Sequence, residues 1–127
     1  MMVGGAVISK DIELAEKVKW VQNVHGNILH PFASFMIMQT TKTMALRVRQ
    51  QSKTALAIAE FLESHPKVTK VMYPGLASHP QKDLADKYHR DNLHGGMLWF
   101  DIVGGSEAGT RLMNTIQRPW SLCENLG

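Results

Sequence analysis

The chain has 127 residues, of which 44% are hydrophobic and 20% are charged, and its formal net charge is +3. This composition is typical of a single globular domain. The lysines and arginines are scattered rather than clustered, which argues against a nucleic-acid-binding surface. No apolar run reaches the ~20 residues of a membrane-spanning helix. We therefore expect neither nucleic acid nor a membrane as a partner.

The single cysteine, Cys123, excludes an internal disulfide. One thiol and no disulfide framework fit a reducing compartment, so we expect a cytoplasmic protein. No histidine stands near Cys123 in the sequence in a way that would activate the thiol. We therefore expect Cys123 to be a small buried apolar residue rather than a nucleophile.

The first part of the sequence predicts a strand and then a helix. Met1–Ile8 is an apolar run with two glycines, which is typical of a buried strand in an α/β sheet. Ser9 is the predicted N-cap of the helix. Apolar residues then recur at helical spacing, namely Ile12, Ala15, Val18 and Val21. Gly26 is the predicted left-handed C-cap.

A long helical stretch is predicted to begin at Pro31 and to end at Ser64. An interruption near Gln39–Thr43 remains open. A continuous helix would be about 50 Å long, at ~1.5 Å per residue. Helices of this length usually bridge two layers or domains. Phe32–Met38 is apolar around the whole helix, whereas the pattern is amphipathic from Ala45 onward.

The rest of the sequence alternates between strands and helices. A strand is predicted from Val68 to Tyr73, followed by a Pro74-Gly75 turn. The next helix begins near Ser78, with Pro80 in its first turn, and continues through Tyr88. The later predicted elements are a strand at Met97–Val103, a helix at Ala108–Ile116 capped by Ser106, and a strand at Trp120–Leu126. This order favours a small sheet with helices on one face.

Four segments resemble a known family. The sequence Tyr73–Gln81, YPGLASHPQ, resembles the Y-P-G-L-x-S-H-P-Q signature of the Cys/Met-metabolism pyridoxal-phosphate (PLP) enzymes. Three more segments match in the same order, namely Lys42-Thr43 with Leu46-Arg47, Gly95-Gly96-Met97, and Leu122–Gly127. The family includes cystathionine γ-synthases, γ-lyases and β-lyases, methionine γ-lyase and O-acetylhomoserine sulfhydrylases. The matches cover nearly the whole chain.

The resemblance implies a fold and a domain organisation. It implies an α/β chain that is a C-terminal fragment of a fold-type I PLP enzyme, with a long bridging helix and a small α+β part. Residues 1–64 would be the end of the large cofactor domain and the bridging helix. Residues 65–127 would be part of the small C-terminal domain. Elements cut at both ends of the sequence fit this expectation.

The resemblance also implies an activity. The full-length parent would use PLP for γ-elimination or γ-replacement on a sulfur amino acid such as cystathionine, methionine or an O-acylated homoserine. Whether it is a lyase or a synthase, and which substrate it uses, remain open. The alternative is a stand-alone, non-catalytic domain that mediates oligomerisation. In the family the subunits form tetramers, so self-association is expected.

No catalytic residue is expected within this chain. The resemblance places the lysine that forms the imine with PLP upstream of Met1, so the fragment alone would be inactive. Thr40-Thr41-Lys42-Thr43 mimics the S-x-T-K pattern of that lysine, but it lies in a helical run. It aligns with the different family segment R-G-L-K-T-L. We therefore interpret Lys42 as a solvated or helix-capping residue.

Five residues are candidates for the rim of the site. The resemblance implies that Glu124, Asn125 and Leu126 face the cofactor and substrate. A carboxylate at Glu124 could accept hydrogen bonds from the distal ammonium of cystathionine, but both polar residues could instead belong to a surface turn. Gln22 and Asn23 would approach the active site of a neighbouring subunit, or would simply form a polar helix end. The histidines show no metal-ligand spacing, and no metal is expected.

Overall fold

The computed structural model describes residues 3–117. They form two compact units, residues 3–44 and residues 45–117. The predicted domains, residues 1–64 and 65–127, assign parts of the chain to a cofactor domain and a small domain. The division of the chain into two compact units does not test that assignment, which stays a prediction.

The N-terminal unit contains helices α1, Ile12–His25, and α2, Pro31–Thr41. The N-cap of α1 is Asp11, whose Oδ1 accepts a hydrogen bond from the Leu14 backbone N–H at 3.1 Å. The predicted cap, Ser9, lies two residues earlier, and its hydroxyl oxygen accepts from the Asp11 N–H at 3.1 Å. The left-handed C-cap at Gly26 is confirmed, with φ 68° and ψ 22°.

The strand predicted at Met1–Ile8 is wrong over residues 3–8, which form no strand. Residues 1–2 lie outside the described part. Val3, Val7 and Ile8 are 82%, 76% and 93% exposed. A strand forms only where a neighbouring strand pairs with its backbone, and residues 3–117 offer none to this segment. The apolar composition of this segment therefore indicates that it is suited to burial. It does not by itself predict that the segment forms a strand.

The long helical stretch is divided into α2 and α3, and α3 comprises Met44–Glu63. The interruption left open by the sequence is present at Lys42-Thr43. The Thr40 and Thr41 hydroxyls both donate to the Ile37 carbonyl, at 2.9 and 2.8 Å. Such side-chain bonds compete with the helical backbone pattern, and the backbone continues with tighter bonds three residues apart.

The C-terminal unit contains a two-stranded antiparallel sheet, formed by β1, Val68–Met72, and β2, Trp99–Ile102. A register irregularity lies between Val68 and Lys70. The facing pairs are Val68 with Ile102, Lys70 with Asp101, Val71 with Phe100, and Met72 with Trp99. The bulge lets both Val68 and Val71 lie on the same face as the apolar residues of β2.

Two further helices complete this unit. Helix α4 comprises Lys82–Tyr88 and is followed by a 3₁₀ turn, Arg90–Asn92, while α5 comprises Gly105–Thr115. Two predicted helix starts are wrong. Pro80 precedes α4, whose N-cap is Gln81, and the N-cap of α5 is Gly104, with φ 96°, rather than Ser106. The strand predicted at Trp120–Leu126 lies outside the described residues.

The core of the C-terminal unit forms where α3 meets the sheet. Ser52, Ala55 and Ala59 lie on one side of α3 and are the buried residues of that helix. They pack with three buried residues that follow one another closely in the sequence, namely Val71, Tyr73 and Leu76. The small side chains of Ala55 and Ala59 leave room for the larger side chains of Tyr73 and Leu76 in this core.

Helix α5 lies on the same face of the sheet as α3. The two helices and the apolar face of β2 line an open groove of about 1210 Å³. Leu98, Phe100 and Ile102 form its floor. The prediction of helices on one face of a small sheet is thus confirmed for α3 and α5. Within residues 3–117, no helix is both long and apolar enough to cross a membrane.

Candidate functional site

The predicted substrate-facing residues, Glu124, Asn125 and Leu126, lie outside the described residues 3–117, as does Cys123. Their roles stay predictions. The described part instead shows what precedes them in the chain, namely the sheet and α5, which ends at Thr115.

Gln22 and Asn23 lie in the last turn of α1. Their carbonyl oxygens accept hydrogen bonds from the N–H groups of Asn27 and Gly26, at 3.0 and 3.4 Å. Both residues are exposed, and neither side chain makes a hydrogen bond to the part of the chain that is described. Their amide groups are therefore open to a partner, and the predicted contact with a neighbouring subunit stays a prediction.

Tyr73 joins three segments of the C-terminal unit. Its hydroxyl lies 2.9 Å from the Gly95 carbonyl oxygen and 3.2 Å from the Ser52 carbonyl oxygen, so its single proton is shared between two acceptors. The Gly95 N–H in turn donates to the Ser52 hydroxyl oxygen at 2.9 Å. We call this arrangement of Tyr73, Ser52 and Gly95 the Tyr73 clamp. It fixes the loop that enters β2 against α3.

The YPG motif has a steric basis at the clamp. A Cβ atom on Gly75 would lie 2.5 Å from Tyr73 Cε1 and 3.3 Å from His94 Cδ2. The first distance is far inside van der Waals contact, so a side chain at position 75 would displace the Tyr73 ring. Gly75 is thus required by the close approach of the turn to the ring that precedes it.

A charged cluster lies beside the clamp. The Lys82 ammonium contacts both oxygens of the Asp86 carboxylate, at 2.5 and 2.6 Å. His94 Nε2 lies 3.2 Å from Asp86 Oδ1, and His94 Nδ1 lies 3.0 Å from His89 Nδ1. The His94 ring meets the Tyr73 ring edge to face, with centroids 6.3 Å apart. We call Lys82, Asp86, His89 and His94 the His94 cluster.

The environment shifts three pKa values in this region. The hydrogen bond from Lys82 lowers the pKa of Asp86, although partial desolvation opposes it. Burial lowers the pKa of His94, and the positive charge of Lys82 lowers it further against the opposing effect of Asp86. Burial raises the pKa of Tyr73. Near neutral pH the cluster therefore holds a charged Lys82–Asp86 pair and a neutral His94.

The His94 cluster was missed by the sequence analysis. The four-residue spacing of Lys82 and Asp86 on a predicted helix was the available signal. His94 could not have been found in the same way, because its position depends on the loop between α4 and β2. Among residues 3–117, no group of three or more His, Cys, Asp or Glu side chains is arranged to hold a metal ion.

A lysine that holds PLP covalently lies in a site shielded from water. No lysine within residues 3–117 is buried, and the absence of that lysine from this chain stays a prediction. Lys42 is exposed at the end of α2, and its Nζ donates to Gln39 Oε1 at 3.0 Å. Lys82 is half-buried but is held by Asp86. These contacts support the interpretation of Lys42 as a helix-end residue.

Comparison with known proteins decides the family. A family model described as Cys/Met metabolism PLP-dependent enzyme matches residues 1–127. The chain belongs to this family. It is 42% identical over 113 residues to a probable cystathionine gamma-synthase of Herpetosiphon aurantiacus, a match that covers 89% of this chain and 35% of that protein. The chain thus spans about a third of the length of the curated relatives it matches.

Solved structures of family members agree in fold. Yeast cystathionine gamma-lyase superposes with a TM-score of 0.83 and 40% identity, over 93% of this chain and 30% of that one. A putative O-acetylhomoserine (thiol)-lyase from Campylobacter jejuni, whose structure contains N'-pyridoxyl-lysine-5'-monophosphate, superposes with a TM-score of 0.76 and 32% identity. That match covers 86% of this chain and 26% of the other. The predicted family and α/β fold class are confirmed.

Family membership also helps to decide between the two functional hypotheses, part of an enzyme and a stand-alone oligomerisation domain. The matching family model is described as a PLP-dependent enzyme, and the relatives and structural neighbours are named as cystathionine lyases and synthases. This finding favours part of an enzyme over a stand-alone oligomerisation domain.

Proposed function

We propose that this chain is part of a PLP-dependent enzyme of sulfur amino-acid metabolism that carries out γ-elimination or γ-replacement on a substrate of the cystathionine class. The observation that carries the proposal is the match of the family model to all 127 residues. Relatives named cystathionine gamma-synthase, cystathionine gamma-lyase and L-methionine gamma-lyase match at 39–40% identity over 126 or 127 residues.

The chain contributes to substrate binding rather than to the covalent chemistry. When PLP is bound in the longer protein, it supplies the electron sink that stabilises negative charge on the substrate. Glu124 accepts hydrogen bonds from the distal ammonium of the substrate, Asn125 provides an amide donor and acceptor, and Leu126 faces the cofactor and substrate. The covalently binding lysine belongs to another part of the protein, so the 127-residue chain alone is inactive. The exposed positions of the described lysines support this last point.

The enzyme assembles as a homotetramer in the cytoplasm. The N-terminal unit supports self-association, because large apolar side chains are exposed along it. They include Ile12, Trp20, Val24, Ile28, Phe32, Phe35 and Met38. Apolar surface of this extent usually marks an interface. Gln22 and Asn23, on the same unit, contact the active site of the neighbouring subunit.

A chimera tests the activity. Residues 1–127 replace the aligned segment of yeast cystathionine gamma-lyase, and kcat/KM is measured for cystathionine and for methionine. We expect cystathionine turnover and a loss of roughly 10- to 100-fold for Glu124→Ala, from a lost charge-assisted hydrogen bond. Glu107→Ala is the matched control, since Glu107 is an exposed carboxylate that pairs with Arg111 one turn along the same helix.

The outcomes separate the parts of this proposal. A chimera that assembles and binds PLP but does not turn over cystathionine contradicts the proposed activity. Equal losses of kcat/KM for cystathionine and methionine in Glu124→Ala contradict only the role of Glu124.

For the isolated chain, we expect no stoichiometric adduct after treatment with PLP and borohydride. Labelling confined to Lys42 would overturn the assignment of that lysine. Sedimentation at several concentrations tests self-association, and a monomer throughout would contradict it.

A further inference from the structure

His94 occupies a junction in the C-terminal unit, between α4 and the Tyr73 clamp. Its side chain is only 6% exposed. Both ring nitrogens are engaged, Nε2 with Asp86 of α4 and Nδ1 with His89 at the end of α4. The next residue, Gly95, belongs to the clamp. The ring therefore links the end of α4 to the core through two polar contacts.

The hydrogen bond between His89 Nδ1 and His94 Nδ1 contains a single proton. Two Nδ1 atoms 3.0 Å apart form a hydrogen bond when one carries a proton and the other offers a lone pair. One added proton leaves the bond intact, since a neutral histidine can accept from a charged one. Protonation of both rings places two donors and two positive charges face to face. The doubly protonated pair must then separate.

The surroundings of His94 resist that second proton. From α4, Lys82 adds a positive charge, while the opposing carboxylate of Asp86 is already held by Lys82. From the turn before α4, His79 adds a further unfavourable charge when it is protonated. On the remaining side stands the edge-to-face ring of Tyr73. From α3 the uncharged hydroxyl of Ser52 meets the adjacent Gly95.

We propose that the His89–His94 pair is an acid-sensitive latch that fastens α4 and the following 3₁₀ turn to the Tyr73 clamp. The latch is closed when at least one of the two rings is neutral, and it opens when both are protonated. This inference does not depend on the proposed enzymatic activity, because it concerns only contacts within the C-terminal unit.

The direction of the pH effect follows from burial. The pKa of His94 is lowered from its ordinary value of 6.5 in the folded chain. As the pH falls below 6.5, the released state binds a proton more readily than the latched state. The stabilisation by the latch is therefore complete above that value and is lost as the pH falls through the lower pKa of folded His94.

Amide hydrogen exchange of the full 127-residue chain tests the latch. Protection factors, corrected for intrinsic exchange rates, are measured at about pH 8 and about pH 5, on either side of the ordinary histidine pKa. We expect protection of residues 82–95 to fall roughly three- to tenfold at the lower pH, as for the loss of one hydrogen bond. Protection of β1 and β2 should change less. An equal protection of residues 82–95 at both pH values overturns the proposal.

A matched pair of variants identifies the residue responsible. His89→Asn places a neutral amide near the position of Nδ1, which can donate to neutral His94 or accept from protonated His94. Because His89 is exposed, the substitution leaves the core intact. In His89→Asn we expect the ratio of the protection factors of residues 82–95 at the two pH values to approach one. His25→Asn, at an exposed position in α1, should keep the ratio of the unsubstituted chain. The same ratio in His89→Asn as in the unsubstituted chain overturns the proposal.

Discussion

The two units use their apolar residues in opposite ways. In residues 3–44 no side chain is buried, and Trp20, Phe32 and Phe35 are 64%, 57% and 52% exposed. In residues 45–117 a core forms around Tyr73, which is 1% exposed. Both units contain regular helices, so helix formation and core formation are separate outcomes of the sequence.

The difference lies in the range of the interactions. The helices of the N-terminal unit begin and end at local signals, such as the Asp11 cap, the Gly26 cap and Pro31 at the first position of α2. The C-terminal unit adds contacts between residues distant in sequence, above all at the Tyr73 clamp. Substitutions should therefore have large effects on the C-terminal unit and small, local effects on the N-terminal unit.

The largest effect is expected at Tyr73. Tyr73→Ala should lower the free energy of unfolding of the C-terminal unit by about 3–5 kcal/mol, as for other large buried aromatic side chains. Tyr73→Phe should cost about 1–3 kcal/mol, because it removes the hydroxyl that donates to the Ser52 and Gly95 carbonyl oxygens. Urea unfolding followed by hydrogen exchange of β1 and β2 measures both. Tyr88→Ala is the control, since Tyr88 is 70% exposed, and a similar cost there would contradict the special role of Tyr73.

An intermediate effect is expected on the buried side of α3. Ala59 is fully buried whereas Ala57, on the same helix, is exposed. Ala59→Leu should destabilise the C-terminal unit by about 1–3 kcal/mol through overpacking. Ala57→Leu should change stability by less than about 0.5 kcal/mol, as for most surface substitutions. The thermal midpoints of the two variants provide the comparison, and equal midpoints would argue against the packing of α3 on the sheet.

A smaller and more local effect is expected in the N-terminal unit. Gly26→Ala forces an alanine into the left-handed region, at a cost of about 1 kcal/mol. Nothing lies within 4 Å of the added methyl, so the cost is conformational rather than steric. Hydrogen exchange should quicken in the last turn of α1 and remain unchanged in β1 and β2. Gly5→Ala, equally uncrowded but without a positive φ, is the control. A response of the strands would show that the two units do not behave separately.

The smallest effect is expected from acid titration of Asp86. Its pKa is lowered from 3.8 by the hydrogen bond with Lys82. The carboxylate therefore contributes stability above pH 3.8 that is lost as the pH falls through its lower folded pKa. Asp86→Asn should flatten the pH dependence of α4 exchange in this acid range, whereas Asp83→Asn, exposed on the same helix, should not. Identical profiles for the two variants would exclude Asp86 as the titrating group.

Local chemistry made much of the fold predictable. Gly26, Pro31, the Pro74-Gly75 turn and the alternation in β2 each limit the backbone through one or two residues. One failure concerns a feature that depends on distant parts of the chain. Residues 3–8 have the composition of a strand but no partner to pair with. The sequence left the interruption near Gln39–Thr43 open, and the structure shows the Thr40 and Thr41 hydroxyls bonded to the Ile37 carbonyl there.

The candidate site was predicted less completely. The family signature around Tyr73 was found, but its physical basis lies in contacts that the sequence does not display, such as the packing of Gly75 under the Tyr73 ring. The His94 cluster required the loop between α4 and β2 to fold back on α4. Gln22 and Asn23 were placed correctly at a helix end, while their role and those of Glu124, Asn125 and Leu126 remain predictions.

The Tyr73 clamp also bears on the order of events in folding. The Tyr73 hydroxyl reaches Ser52, 21 residues earlier, and Gly95, 22 residues later. Loops of this length cost little entropy to close, and proteins with mostly short-range contacts fold quickly. All residues of the clamp, and all the buried apolar residues around it, lie between Ser52 and Gly95, whereas β1 needs β2 as its pairing partner. During translation the clamp contacts can therefore form before α5 is synthesised, and they hold the chain in place for the pairing of β1 with β2.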